Sequence, residues 1–250
     1  MPYDIMATGQ TPALIIYLLD ISASMSKPLG AGRRIDVVID ALSAALRQMI
    51  YRSTKGTRIA PRYRVALYAY SDVVYDLLGG ARPVNEIASL GVPDLSPLRT
   101  TETAKAFLKA EELLQIELPT LQNCPAPLIC HMTDAEYHDY GGDPEPIAQR
   151  IMRMRVPDGP VLIENIFVSE NILPDPITDP FQWPGVTAST PLTNPYAQKL
   201  RALSSAIPES YRAMLMESGY HLAPGALMLL PGTNPEMVGL GFQMSTSTRA

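Results

Sequence analysis

Tyr17-Leu-Leu-Asp20-Ile-Ser22-Ala-Ser24-Met25 is the stretch on which the reading of this chain turns. The apolar run over residues 13–19 passes without a break into an aspartate and two serines at every second position. Such a run brings a strand up through a core, and three short oxygen-bearing side chains then fan out within one turn of loop at its end. Carboxylate and hydroxyl oxygens are hard ligands, suited to Mg²⁺ or Mn²⁺ rather than to zinc, which prefers nitrogen and sulfur. The same residues also serve in ordinary turns and helix caps. The stretch by itself leaves a cation cradle and a capped turn both open.

Working outward, the totals narrow the class. A chain of 250 residues, 46% hydrophobic and 18% charged, is long enough to bury a sizeable core and predicts one domain. The net charge of -5 and the absence of any Lys/Arg run argue against nucleic-acid binding, which needs a concentrated basic surface. Cys124 and Cys130 are too few for a disulfide framework and lack CxxC spacing, so they read as packing residues in a reducing compartment. The opening Met1-Pro-Tyr-Asp-Ile-Met has no basic region followed by an apolar core, so no signal peptide is expected. No apolar run reaches the ~20 residues that cross a bilayer. The expectation is a soluble, cytoplasmic protein that binds neither nucleic acid nor membrane. The 24 prolines exceed the usual ~5%, and most punctuate loops in the second half.

The flanking segments supply the rest of an α/β pattern. Ile35, Val38, Ile39, Leu42, Ala45, Leu46 and Met49 recur at the spacing of an amphipathic helix over residues 34–51. Residues 63–70 alternate as a strand, and 73–78 follow across Ser71-Asp72 as an antiparallel hairpin partner. A second helix is expected over 104–118, bounded by Pro119. Residues 127–132 form an almost wholly apolar run ending in Thr133-Asp134, which suits a strand buried on both faces. Asp143-Pro144 marks a further helix start, and 161–168 is another strand. A proline-rich loop over 169–194 carries Phe181 and Trp183; Asn194-Pro195 opens a helix through Ile207, and Pro208 one that ends near Gly219. A short strand is placed at 227–230.

Strands alternating with helices at this spacing predict an open, mostly parallel sheet with one antiparallel edge strand and helices on both faces. In such sheets ligands sit outside the carboxyl ends of the strands, where the chain order reverses. Asp20 and Asp134 each follow such a strand end.

Asp20-x-Ser22-x-Ser24, then Arg99-Thr-Thr101-Glu-Thr-Ala, then Met132-Thr-Asp134-Ala-Glu resemble, in order and spacing, the von Willebrand factor type A family and its metal-ion-dependent adhesion site. The resemblance implies a Rossmann-like type A fold. It also implies a cation, Mg²⁺ or Mn²⁺, held by Asp20, Ser22, Ser24, Thr101 and Asp134, with a partner protein supplying an acidic side chain. Thr100 is a rival for the threonine position. The family usually has glycine just before that threonine and after the second aspartate, where this chain has Thr100 and Ala135. On this basis one domain spans 1–250, its core at about 10–170, with C-terminal helices and an extension over 195–250. Leu200-Arg-Ala-Leu-Ser-Ser-Ala-Ile-Pro208 and Gly241-Phe242-Gln-Met-Ser245-Thr-Ser247 resemble the end of bacterial tellurium-resistance-associated type A proteins, implying kinase and phosphatase partners.

Other chemistries fit less well. A dehalogenase-type phosphatase needs an acid two residues after its nucleophilic aspartate, and Ser22 cannot protonate a leaving group. Glu136, drawn as a general base, reads better as a solvated acid on a loop. His131, Asp134, His138 and Asp139 invite a zinc site, but His131 lies within an apolar strand whose alternation turns it away. Phe181 and Trp183 either border the cation site or fold their loop onto the body of the domain. The leading expectation is therefore a cation-dependent interaction module, not an enzyme; a structural adaptor without cation and a metal-dependent hydrolase are the alternatives.

Overall fold

The computed structural model describes residues 2–91, 95–98, 100–136, 142–169, 172–232, 237–238, 240–241 and 244. Arg99, His138, Asp139 and most of the 241–247 match lie outside them. In chain order the main elements are β1 (Ala13–Asp20), α1 (Arg34–Ser53), β2 (Tyr63–Tyr70), β3 (Val74–Asp76), β4 (Arg82–Pro83) and α2 (Thr103–Glu117). There follow β5 (Leu128–Thr133), α3 (Glu145–Ile151), β6 (Leu162–Phe167), α4 (Pro195–Ala202), α5 (Glu209–Glu217) and β7 (Leu229–Pro231).

The strands form one sheet in the order β7-β6-β5-β1-β2-β3. β7, β6, β5, β1 and β2 run parallel to one another. β3 and β4 both run antiparallel to β2, one against residues 68–70 and the other against 64–65, so two short segments share the predicted antiparallel edge. This is the expected Rossmann-like type A arrangement, and its chain order reverses between β1 and β5.

Strand alternation divides the core between the two faces of the sheet. Ile15, Tyr17 and Leu19 of β1 pack in the cluster that contains Ile35, Val38, Leu42 and Met49 of α1. Leu14, Ile16 and Leu18 pack in the cluster that contains Phe107 and Leu114 of α2, Ile151 of α3 and the C-terminal helices. All eight residues of β1 are buried, as an unbroken apolar run in a central parallel strand requires. Each fully buried Leu or Ile there contributes roughly 1.5–3 kcal/mol. Both free cysteines are buried among these side chains.

Two expectations differ from the structure. The helix that opens at Asn194, whose side chain accepts from Tyr196 N at 2.9 Å, ends at Ala202 rather than running to Ile207. Ser205 leaves it to bind β6, donating its amide to the Ile163 carbonyl at 2.9 Å and accepting from Ile163 N at 2.9 Å. The strand expected at 227–230 lies two residues on, at Leu229–Pro231, where parallel pairing with Asn165 to Phe167 defines it.

Candidate metal centre

The reversal point between β1 and β5 brings together most of the residues singled out from the sequence. Asp20 ends β1 and is 0% exposed. Its Oδ1 accepts from the amide of Ser22 at 2.8 Å and its Oδ2 from the hydroxyl of Thr133 at 2.6 Å. Ser22 precedes a single 3₁₀ turn, Ala23–Ser26, which places the Ser24 hydroxyl 3.0 Å from that of Ser22. The turn therefore presents two hydroxyls beside the carboxylate, as alternate positions on a tight loop do.

Asp134 follows β5 and is fully buried as well. Burial, and after it the charge of Asp134, pushes the pKa of Asp20 up to about 7, against hydrogen bonds from Ser22 and Thr133 that favour its carboxylate. Two buried carboxylates that repel each other form a site that calls for positive charge. Thr101 comes to the same rim: the amide of Glu102 donates to the Ser71 carbonyl at 2.8 Å, just past the end of β2, and Thr101 is itself buried. The amide of Leu98 donates to the Ile21 carbonyl at 2.6 Å, fastening the approach to Thr101 over the Asp20 loop.

Ala135 has a φ of +53°, in the left-handed region. The type A pattern has glycine at this point because a Cβ is disfavoured there. In this chain the turn is fixed by the amide of Ala135, which donates to the Thr133 hydroxyl at 2.7 Å. Thr133 thus bonds to both halves of the site, a role that its place between Met132 and Asp134 did not announce.

Sequence reasoning missed the basic half. A hairpin of Pro28–Leu29 and Gly32–Arg33 sets Lys27 and Arg34 side by side, with the amide of Arg34 donating to the Lys27 carbonyl at 3.0 Å. Arg34 Nη1 donates to Asp134 Oδ2 at 2.6 Å and to Glu136 Oε1 at 2.9 Å, and Lys27 pairs with the other oxygen of Glu136. Glu136 is therefore an ion-paired residue rather than the solvated acid expected; burial works against its charge, but Arg34 and Lys27 hold its pKa below the usual range. Burial works to lower the pKa of Arg34, but the hydrogen bonds it donates to Glu136 and Asp134 keep it above its ordinary value. The only available signal was a pair of cations flanking a Gly-rich turn, which reads as a solvated helix start.

His131 is a core residue. Asn165 Oδ1 accepts from its Nδ1 at 2.7 Å, so Nε2 is the unprotonated nitrogen and accepts from the Tyr70 hydroxyl at 2.6 Å. Burial drives its pKa down to about 4, and the ring of Phe107 meets it edge-on at 5.1 Å. Asn165 Nδ2 donates on to Ser204 Oγ at 2.9 Å, whose hydroxyl donates to the Leu200 carbonyl at 2.8 Å. Trp183 is buried, and Phe181 stacks on Tyr220 at 4.8 Å while its carbonyl accepts from His221 N at 2.8 Å. Phe181 thus fastens the loop to the C-terminal segment, and Trp183 buries its ring in the core cluster.

Among the described residues no cluster of three or more His, Cys, Asp or Glu could hold a metal. The donor set here is of another kind: two carboxylates and neutral hydroxyls, all oxygen, which matches the demands of Mg²⁺ or Mn²⁺.

Sheet order, the antiparallel edge and a hydroxyl-rich loop at the reversal point define a Rossmann-like fold of the von Willebrand factor type A class. No protein-family model matches the sequence, and no curated protein matches it. Solved structures share the fold. The PilB minor pilin of Streptococcus sanguinis, as a point mutant, aligns at 11% identity over 95% of this chain and 61% of its own, with a TM-score of 0.53. An aerotolerance-related membrane protein of Bacteroides fragilis aligns at 14% identity over 93% of this chain and 98% of its own, with a TM-score of 0.52. Proximal thread matrix protein 1 of the mussel byssus aligns at 12% identity over 95% of this chain and 49% of its own, also at 0.52. The chain spans 20% and 38% of the length of two structures of the Porphyromonas gingivalis pilus-tip protein Mfa5, at TM-scores of 0.40 and 0.39 and identities of 19% and 16% over 51% and 50% of this chain. At such identities the likeness is one of fold.

Proposed function

We propose that this protein is a divalent-cation-dependent protein-interaction module and not an enzyme. The observation that carries the proposal is the juxtaposition of two fully buried aspartates, Asp20 and Asp134, with the paired hydroxyls of Ser22 and Ser24 at the reversal point of the sheet. Asp20, Ser22, Ser24, Thr101 and Asp134 would hold Mg²⁺ or Mn²⁺, and the bound cation would offer a position to an acidic side chain of a partner. A charge-assisted contact of that kind recognises a partner without reacting with it. Ser22 stands where a phosphatase of the aspartyl type needs an acid, which favours binding over hydrolysis.

A structural adaptor that works without cation is the second reading, and Arg34 favours it by placing positive charge on Asp134. A cytoplasmic signalling or stress-response setting with kinase and phosphatase partners is supported by the tail resemblance and by two cysteines that are free and buried. No helix among the described residues is long and apolar enough to cross a membrane.

Calorimetric titration with Mg²⁺ and with Mn²⁺ tests the proposal. Wild type should take up one ion and Asp20→Ala none; a wild type that binds neither ion refutes it. Retention of the same lysate proteins with Mg²⁺ and with EDTA would separate the adaptor from the cation-dependent module.

A further inference from the structure

The cation position has a rival within the chain. Arg34 begins α1, is 9% exposed, and reaches Asp134 and Glu136 through a single nitrogen, Nη1. Nη2 donates to Ser169 Oγ at 3.1 Å, and Nε is buried without a hydrogen-bond partner. A fully formed arginine–carboxylate fork uses two parallel N–H bonds to one carboxylate. Arg64 with Glu117 and Arg150 with Glu111 have that form in this same molecule. Arg34 does not, so its hold on Asp134 is one bond deep.

Both oxygens of Asp134 are engaged, Oδ2 by Arg34 and Oδ1 by the amide of Glu136 at 3.1 Å. A divalent ion drawn to Asp134 would therefore meet a guanidinium on the same carboxylate, and two cations on one carboxylate repel. Glu136 provides the alternative. Its side chain is 27% exposed, it already accepts from Arg34, and Lys27 holds its other oxygen.

We infer that Arg34 is a built-in competitor of the divalent cation for Asp134, released to Glu136 when the cation binds. The inference rests on the cation-binding function proposed above. It makes cation affinity a difference between two attractions to one carboxylate, so the site binds weakly unless the guanidinium is drawn away.

Titration of Mn²⁺ into wild type, Arg34→Gln and Glu136→Gln, each shown to be folded by circular dichroism, tests it. Arg34→Gln should bind roughly tenfold more tightly or better, which is about 1.4 kcal/mol. Glu136→Gln leaves Asp134 as the guanidinium's sole carboxylate and should bind more weakly than wild type. A wild type that takes up no ion refutes the cation function, and the inference with it. A folded Arg34→Gln that binds no more tightly than a binding wild type overturns the competition and leaves the cation function standing. Absence of uptake by all three proteins overturns both. If Arg34→Gln does not fold, Glu136→Gln decides: affinity equal to or above that of wild type overturns the inference.

Discussion

Replacing Asp20 with asparagine should stabilise the fold while abolishing the cation site. The carboxyl is fully buried, and burial together with Asp134 moves its pKa from 3.8 to about 7. A carboxyl that holds its proton more tightly folded than unfolded adds stability that is fully present below the unfolded value and is lost as pH rises through the folded one. The window here runs from pH 3.8 to about 7, and the contribution lost across it is about 4 kcal/mol. Asparagine keeps the shape and can still accept from Ser22 N, but carries no charge. In urea denaturation with EDTA, the advantage of Asp20→Asn over wild type should be small near pH 4 and grow by about 4 kcal/mol by pH 8. Added Mn²⁺ should close much of that gap, because wild type alone gains about 2.7 kcal/mol at a hundred times its Kd. Parallel stability profiles of the two proteins between pH 4 and 8 would refute the claim that a buried, repelled carboxylate sits at the end of β1.

His131 gives a pH dependence of opposite sign. A base whose pKa falls from 6.5 to about 4 on folding costs the folded state stability as pH drops through that window, by about 3 kcal/mol in all. Wild type should therefore lose that much more than His131→Gln between pH 7 and pH 4 in urea titrations; equal losses would mean the ring is charged in the fold. Trp183→Ala should cost roughly 3–5 kcal/mol and Phe181→Ala about 1 kcal/mol or less, since one ring is buried and the other half-exposed. Neither should alter Mn²⁺ affinity, and a changed affinity at intact stability would put the 172–194 loop at the site.

The parts of the fold that could be read in advance are those set by local pattern. Residues 63–70 make the strand expected of them, and the 13–19 run extends only to Asp20, because each apolar stretch lies buried on both faces of the sheet. Elements settled by tertiary contacts were less legible. Ser205 stops α4 by bonding Ile163, and β7 exists through its pairing with β6; neither partner is near in sequence. The site divides in the same way. Asp20, Ser22, Ser24 and Asp134 stand in short motifs whose residue types carry their chemistry. Arg34 and Lys27 become site residues only because a hairpin turns them back across the rim toward Glu136, 102 and 109 positions further on.

The hydrogen bonds that run from Tyr70 through His131, Asn165 and Ser204 end on the carbonyl of Leu200. A carbonyl has no proton to give, so every hydroxyl and amide in the series points the same way, and none can turn round without leaving two lone pairs or two protons facing each other. The Tyr70 proton is thereby committed to His131, although burial raises the pKa of the phenol and Asp20 lies close enough for its carboxylate to raise it further. Tyr70 can offer Asp20 no donor. The hydroxyl that bonds Asp20 from across the sheet must come from elsewhere, and Thr133 supplies it. A helix backbone at residue 200 thus dictates which side chain may touch the carboxylate at residue 20.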